Sequence, residues 1–250
     1  MPYEILATAR TPALIIYLLD VSVSMIQPLG DKRRIDVVKN SLQVALRQMV
    51  FRSTKGARVS PRYQVAMYAY SDHVYDMLDG IKTVDQVARM GFPDLPVQRT
   101  TNTALAFSEV EKFLQRELPR LADCPAPLVC HMTDGEFTGD DPEPVARRIL
   151  NLEVPDGKVL IENIYISDVI TDEEVANPRE WQGILKKTKF KNEYAKKLRK
   201  MSSPLPASYR LMMLEAGYRM DENALMMLPG TSHSLVEMGF VMSAATPVSR

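Results

Sequence analysis

Ala13-Leu-Ile-Ile-Tyr-Leu-Leu-Asp20-Val-Ser-Val-Ser24 decides how the rest of the chain is read. Seven apolar residues without alternation fit a strand buried on both faces, as in a parallel sheet. The run stops at Asp20 and enters a serine-rich loop. From Arg34 to Met49 apolar residues then recur at helical spacing: Ile35, Val38, Leu42, Ala45, Leu46, Met49. The opening unit is therefore strand, polar loop, helix.

The same alternation continues. Arg62–Tyr70 reads as a strand, Thr83–Met90 as a short helix and Asn102–Leu118 as a longer helix. Pro127–Met132 reads as a buried strand, Glu143–Asn151 as a helix and Val159–Ile166 as a strand. Strands alternating with helices predict an α/β fold: a Rossmann-like, doubly wound, mostly parallel sheet with helices on both faces. The last third is less regular. Ser167–Gly183 reads as a long polar loop, and the lysine-rich stretch 186–200 as a solvated helix face with Trp181, Leu185, Tyr194 and Leu198 turned inward. Ser203-Pro204 reads as an N-cap and first helical residue, opening a helix to about Ala216. Glu222–Leu228 is the candidate last strand and Ser232–Met242 the closing helix. We read one domain over 1–250, with a core of about 12–168 plus 204–243 and an insertion at 168–203.

Composition narrows the function classes. Thirty-one basic residues balance thirty-one acidic ones across 250 residues, so no global field favours nucleic acid or an anionic membrane. No apolar run approaches the roughly 20 residues of a membrane helix. The N-terminus lacks a signal-peptide pattern, and the expected location is cytoplasmic. Cys124 and Cys130 form no CxxC pair and are read as free thiols, Cys130 inside a buried strand. His73, His131 and His233 are scattered, with His131 read as a hydrogen-bonded core residue. Met212, Met213, Met226 and Met227 are read as gap-fillers of the core.

Three segments fall at or just beyond strand C-termini, the edge where open α/β sheets bind ligands. They are Asp20-Val-Ser-Val-Ser24, Thr101-Asn-Thr103 and Thr133-Asp134-Gly135. Asp20 and Asp134 offer anionic oxygens; Ser22, Ser24 and Thr101 offer hydroxyls. Such a set suits Mg²⁺ or Mn²⁺, with Ca²⁺ as a further candidate. Few carboxylates leave the ion under-neutralised, so it seeks one more anionic oxygen. Glu136 to Asp141 follows the third segment and is read as capping the next helix.

These residues resemble the metal-ion-dependent adhesion site of von Willebrand factor A domains, over about Leu14 to Ile166. Val23 departs from the family, where a small residue is frequent, but position 23 is not a ligand. The resemblance implies that Ser22, Ser24 and Thr101 touch the metal while Asp20 and Asp134 act mainly through water. It also implies a non-catalytic module whose ion is completed by an Asp or Glu of a protein partner, and it makes the last helix the candidate switch element. Small cytoplasmic bacterial members, such as the tellurite-resistance-associated group, supply the analogy of a scaffold in stress or phosphosignalling. Two other readings stay open. One is a metal-dependent phosphatase-like hydrolase, against which Ser22 stands where such enzymes carry an acid. The other is a vestigial metal site, with partners bound through the C-terminal third.

Overall fold

The computed structural model describes residues 2–56, 58–91, 93–95, 97–135, 137–168 and 170–248. The strands of the main sheet are β1 (Ala13–Asp20), β2 (Tyr63–Tyr70), β3 (Val74–Asp76), β4 (Lys82–Thr83), β5 (Leu128–Thr133), β6 (Leu160–Tyr165) and β7 (Met227–Pro229). Their order is β7-β6-β5-β1-β2-β3, with β4 also on β2. The pairs from β7 through β2 are parallel, and β3 and β4 run antiparallel to β2. The helices are α1 (Arg34–Ser53), α2 (Val84–Met90), α3 (Thr103–Glu117), α4 (Glu143–Ile149), α5 (Glu193–Lys200), α6 (Ala207–Glu215) and α7 (His233–Ser243).

The period-2 geometry of a strand divides β1 between two cores. Ile15, Tyr17 and Leu19 join the cluster that includes Val38 and Leu42 of α1 and Phe240 of α7. Leu14, Ile16 and Leu18 join Phe107 and Val110 of α3, Ile149 of α4 and Leu198 of α5. Helices therefore cover both faces, which is the doubly wound arrangement the apolar run of β1 requires. Against the first face α7 lies very close: a Cβ on Gly239 would come within 2.7 Å of Ile164. Among the described residues no helix is long and apolar enough to cross a membrane.

Several sequence expectations are corrected. The edge strands β3 and β4 carry no long apolar run and fall outside the sequence reading. Ser203-Pro204 does not open a helix, because Ser203 is spent on β6: its Oγ accepts from Ile161 N at 2.9 Å and its N donates to Ile161 O. The helix starts instead at Ala207, with Pro206 at the cap. The last strand is only Met227–Pro229, because Leu225 bridges Ile184 and Pro204 instead. The basic stretch is helical only from Glu193 to Lys200, opened by Asn192, whose side chain accepts from Ala195 N. Cys124 and Cys130 are free and buried.

One buried acid fastens the chain's beginning. Asp156 Oδ1 accepts from Glu4 N and Ile5 N, both at 2.9 Å, and Oδ2 accepts from Ala126 N at 2.9 Å. Asp156→Asn turns one acceptor into a donor facing an N–H. We expect a loss of about 1–2 kcal/mol in urea unfolding and faster proteolysis near the N-terminus; unchanged proteolysis would show that other contacts hold this segment.

Candidate metal centre

Asp20 ends β1 and lies between Tyr70, which ends β2, and the last residues of β5. After β1 the chain crosses to β2, whereas β5 pairs on the other side of β1. The C-terminal ends of β1 and β5 thus flank a switch in strand order, where side chains from separate loops converge.

Four of the five expected site residues form one hydrogen-bonded chain. Asp20 Oδ1 accepts from Ser22 N at 2.8 Å. Ser22 Oγ and Ser24 Oγ are 2.9 Å apart, and Ser24 Oγ donates to Asp134 Oδ1 at 2.8 Å. Ser22 precedes a short 3₁₀ turn, Val23–Ile26, without capping it by its side chain, so its hydroxyl serves the site. Thr101 is buried at the same edge but is held through its backbone. Thr138 N and Oγ1 both donate to Thr101 O, at 2.7 and 3.1 Å. None of the bonds joining the other four residues involves Thr101. The second loop is further pinned by Asn102, whose N donates to Ser71 O at 2.7 Å and whose side chain caps α3 by accepting from Leu105 N.

Burial shapes the electrostatics. Asp20 is fully buried, and desolvation, followed by the nearby Asp134 carboxylate, pushes its pKa up to about 6. The amide and hydroxyl of Ser22 and the hydroxyl of Thr133 pull the other way; Thr133 Oγ1 donates to Asp20 Oδ2 at 2.8 Å. A nearby cation relieves both effects that raise the Asp20 pKa. Among the described residues no group of three or more His, Cys, Asp and Glu side chains is placed to hold a metal. A cation here would therefore depend on hydroxyls, which is oxygen-only coordination suited to a hard divalent ion. On donor chemistry the residues fit such an ion.

Several contributors carried no signal in sequence. Arg34, the first residue of α1, is buried and its Nη1 meets Asp134 Oδ2 at 3.0 Å. A motif search passes over it because it belongs to an ordinary helix start. Thr138 bonds to the Thr101 backbone, a supporting contact for which spacing gives no rule, whereas Thr133, which bonds to the Asp20 carboxylate, belongs to the third segment singled out in sequence. In the stretch expected to cap α4, Glu136 lies outside the described residues, whereas Asp141 Oδ1 accepts from Glu143 N at 2.9 Å. Asp141 also pairs with Lys197 of α5, and Glu143 lies near Lys197 and Lys200. Phe137 packs edge-on against Tyr194, with ring centroids 5.5 Å apart. Part of the basic helix thus has acidic and aromatic partners in the loop after Asp134; its face is not wholly solvated. Leu198 is buried, and Trp181, Leu185 and Tyr194 pack partly buried against the cores.

No family model and no curated protein sequence matches this chain. Solved structures do. Proximal thread matrix protein 1 from the mussel byssus, in a structure with a zinc-occupied MIDAS motif, superposes with a TM-score of 0.53 at 18% identity, covering 94% of this chain and 48% of that one. The shared architecture is a mostly parallel sheet flanked by helices, a Rossmann-like α/β fold. The PilB minor pilin from Streptococcus sanguinis superposes with a TM-score of 0.54 at 11% identity, covering 92% of this chain and 60% of the pilin. The chain therefore spans about half to three-fifths of the length of these matches. At such identities the likeness is one of fold.

Proposed function

We propose that this protein is a non-catalytic binding module that holds one divalent metal ion and completes its coordination with a carboxylate from a protein partner. The observation that carries the reading is the chain of hydrogen bonds from Asp20 through Ser22 and Ser24 to Asp134. It gathers oxygens from two distant segments at one sheet edge, and Thr101 would join them from a third. The zinc-occupied MIDAS of the byssus protein supports a divalent ion in a fold of this kind, and Mg²⁺ or Mn²⁺ suits an oxygen-only set. Val23 and Ile26 border the site and are 51% and 43% exposed, so the partner's Asp or Glu would sit beside apolar side chains. Ser22 is a hydroxyl where a phosphatase of the Asp-x-Asp type needs a carboxylic acid, which supports binding over hydrolysis. The cytoplasmic, tellurite-resistance-associated setting rests on sequence analogy alone.

Calorimetric titration with Mg²⁺, Mn²⁺, Ca²⁺ and Zn²⁺ tests the reading. We expect one ion per chain, reversal by chelator, and affinity weakened at least about tenfold in Ser22→Ala, or about 1.4 kcal/mol. Absence of binding by any of the four ions would turn attention to the C-terminal third as the interaction surface. Phosphatase turnover that requires metal and is lost in Asp20→Ala would make the protein an enzyme instead.

A further inference from the structure

We propose that Arg34 is a built-in cation of the metal edge, which keeps a bound divalent ion under-neutralised and so makes the ion's open position select a carboxylate. This rests on the metal-binding reading above.

The geometry is specific. The Arg34 side chain is 8% exposed and that of Asp134 2%. Asp134 has both oxygens engaged, Oδ1 by the hydroxyl of Ser24 and Oδ2 by Arg34 Nη1. Arg34 Nε is buried without a hydrogen-bond partner, so the guanidinium does not complete its own donor set there. Its other nitrogen, Nη2, lies 3.8 Å from Asp168 Oδ2, whose side chain is 73% exposed. That contact is at the solvent rim and is strongly screened. The burden of neutralising Arg34 therefore falls on Asp134, the same group that would balance a metal.

A guanidinium does not give up its proton in a protein, so its charge is a fixed part of the site. The ionised carboxylates of Asp20 and Asp134 contribute two negative charges and Arg34 one positive. A dication then leaves the edge with one net positive charge, where without Arg34 it would be neutral. Charges this close and this dry interact strongly. The guanidinium repels the incoming ion and attracts the anion that follows it. Arg34 is thus a positioning residue acting through Asp134, and its two effects have opposite signs. A residue that only supported the fold would weaken both binding steps together.

The full-length chain is titrated with Mn²⁺, and the Mn²⁺-saturated protein with acetate as the carboxylate probe, followed by water-proton relaxation. In Arg34→Gln we expect Mn²⁺ to bind at least about tenfold tighter and acetate at least about fivefold weaker. Arg34→Lys, which keeps the charge, should stay near wild type in both. The Mn²⁺-induced rise in Tm should also be larger in Arg34→Gln than in wild type. If Arg34→Gln folds poorly, Arg34→Met removes the same charge while keeping a long stem, and Mn²⁺ should again bind tighter and acetate weaker. Mn²⁺ binding that is equal or weaker in the charge-removing variant overturns the role of Arg34 and leaves the metal site standing. A wild-type chain that binds no Mn²⁺ overturns both.

Discussion

Replacing His131 by alanine is expected to destabilise the protein by about 3–5 kcal/mol, measured as a shift of the urea midpoint at unchanged slope. His131 lies in the middle of the sheet on β5, fully buried. Its Nδ1 is 2.7 Å from Asn163 Oδ1, and its Nε2 is 2.7 Å from the hydroxyl of Tyr70. The proton positions follow from the neighbours. Asn163 Nδ2 donates to Ser202 Oγ at 2.9 Å, and Ser202 Oγ donates to Leu198 O at 2.8 Å. The Asn163 oxygen facing His131 can only accept, so Nδ1 carries the hydrogen and Nε2 accepts from Tyr70. Every member of this row is satisfied while the imidazole is neutral, and burial pulls its pKa down to about 4. Alanine removes the ring that packs against Phe107 at 4.9 Å between centroids. It also leaves the Asn163 oxygen without its donor and the Tyr70 hydroxyl without its acceptor, each worth about 1–3 kcal/mol, in addition to the cavity. A loss below about 1.5 kcal/mol would mean that the neighbours re-pair. Because Asp134 lies three residues further along, Mn²⁺ affinity should fall with the stability.

This row shows what a sequence can and cannot announce. His131 within Pro127–Met132 was legible as a hydrogen-bonded core residue, because a polar side chain inside a buried strand must find a partner. Asn163 and Ser202 were not legible as those partners, since pairing across parallel strands depends on register. The strands of the sheet's centre were readable for a related reason. Residues buried on both faces leave continuous apolar runs, as in β1 and β5, whereas the edge strands β3 and β4 leave none. Asp20, Ser22, Ser24, Thr101 and Asp134 stood out because ligand-gathering loops recur at strand ends. Arg34 did not, because a charged residue at the start of a helix is ordinary, and only the fold brings it to Asp134.

Glu162→Gln is expected to stabilise the protein progressively as pH rises above about 4.3, the unfolded-state value of a glutamate. Glu162 sits on β6, fully buried on the side of Tyr17 and Cys130, and neither carboxyl oxygen has an oxygen or nitrogen partner. Burial raises its pKa well above the usual carboxylate range, and the Cys130 thiol lowers it only in part. The folded chain therefore holds a proton that the unfolded chain releases near pH ~4.3. The contribution of Glu162 is fully present below that value. It is lost at about 1.4 kcal/mol per pH unit as pH rises towards the folded-state value. His131 works in the opposite sense. Its folded pKa lies below the unfolded value of about 6.5, so its contribution is present above that pH and declines as pH falls towards about 4. Between about pH 4.3 and 6.5 the two groups therefore act on stability in opposite directions. The amide introduced by Glu162→Gln keeps the shape and leaves similar polar atoms unpaired, but carries no proton to lose. The difference between the Glu162→Gln and wild-type stability curves should therefore be near zero at about pH 4 and climb thereafter, whatever other groups titrate. A difference that stays constant from about pH 4 to 8 would show that Glu162 titrates alike in the folded and unfolded chains.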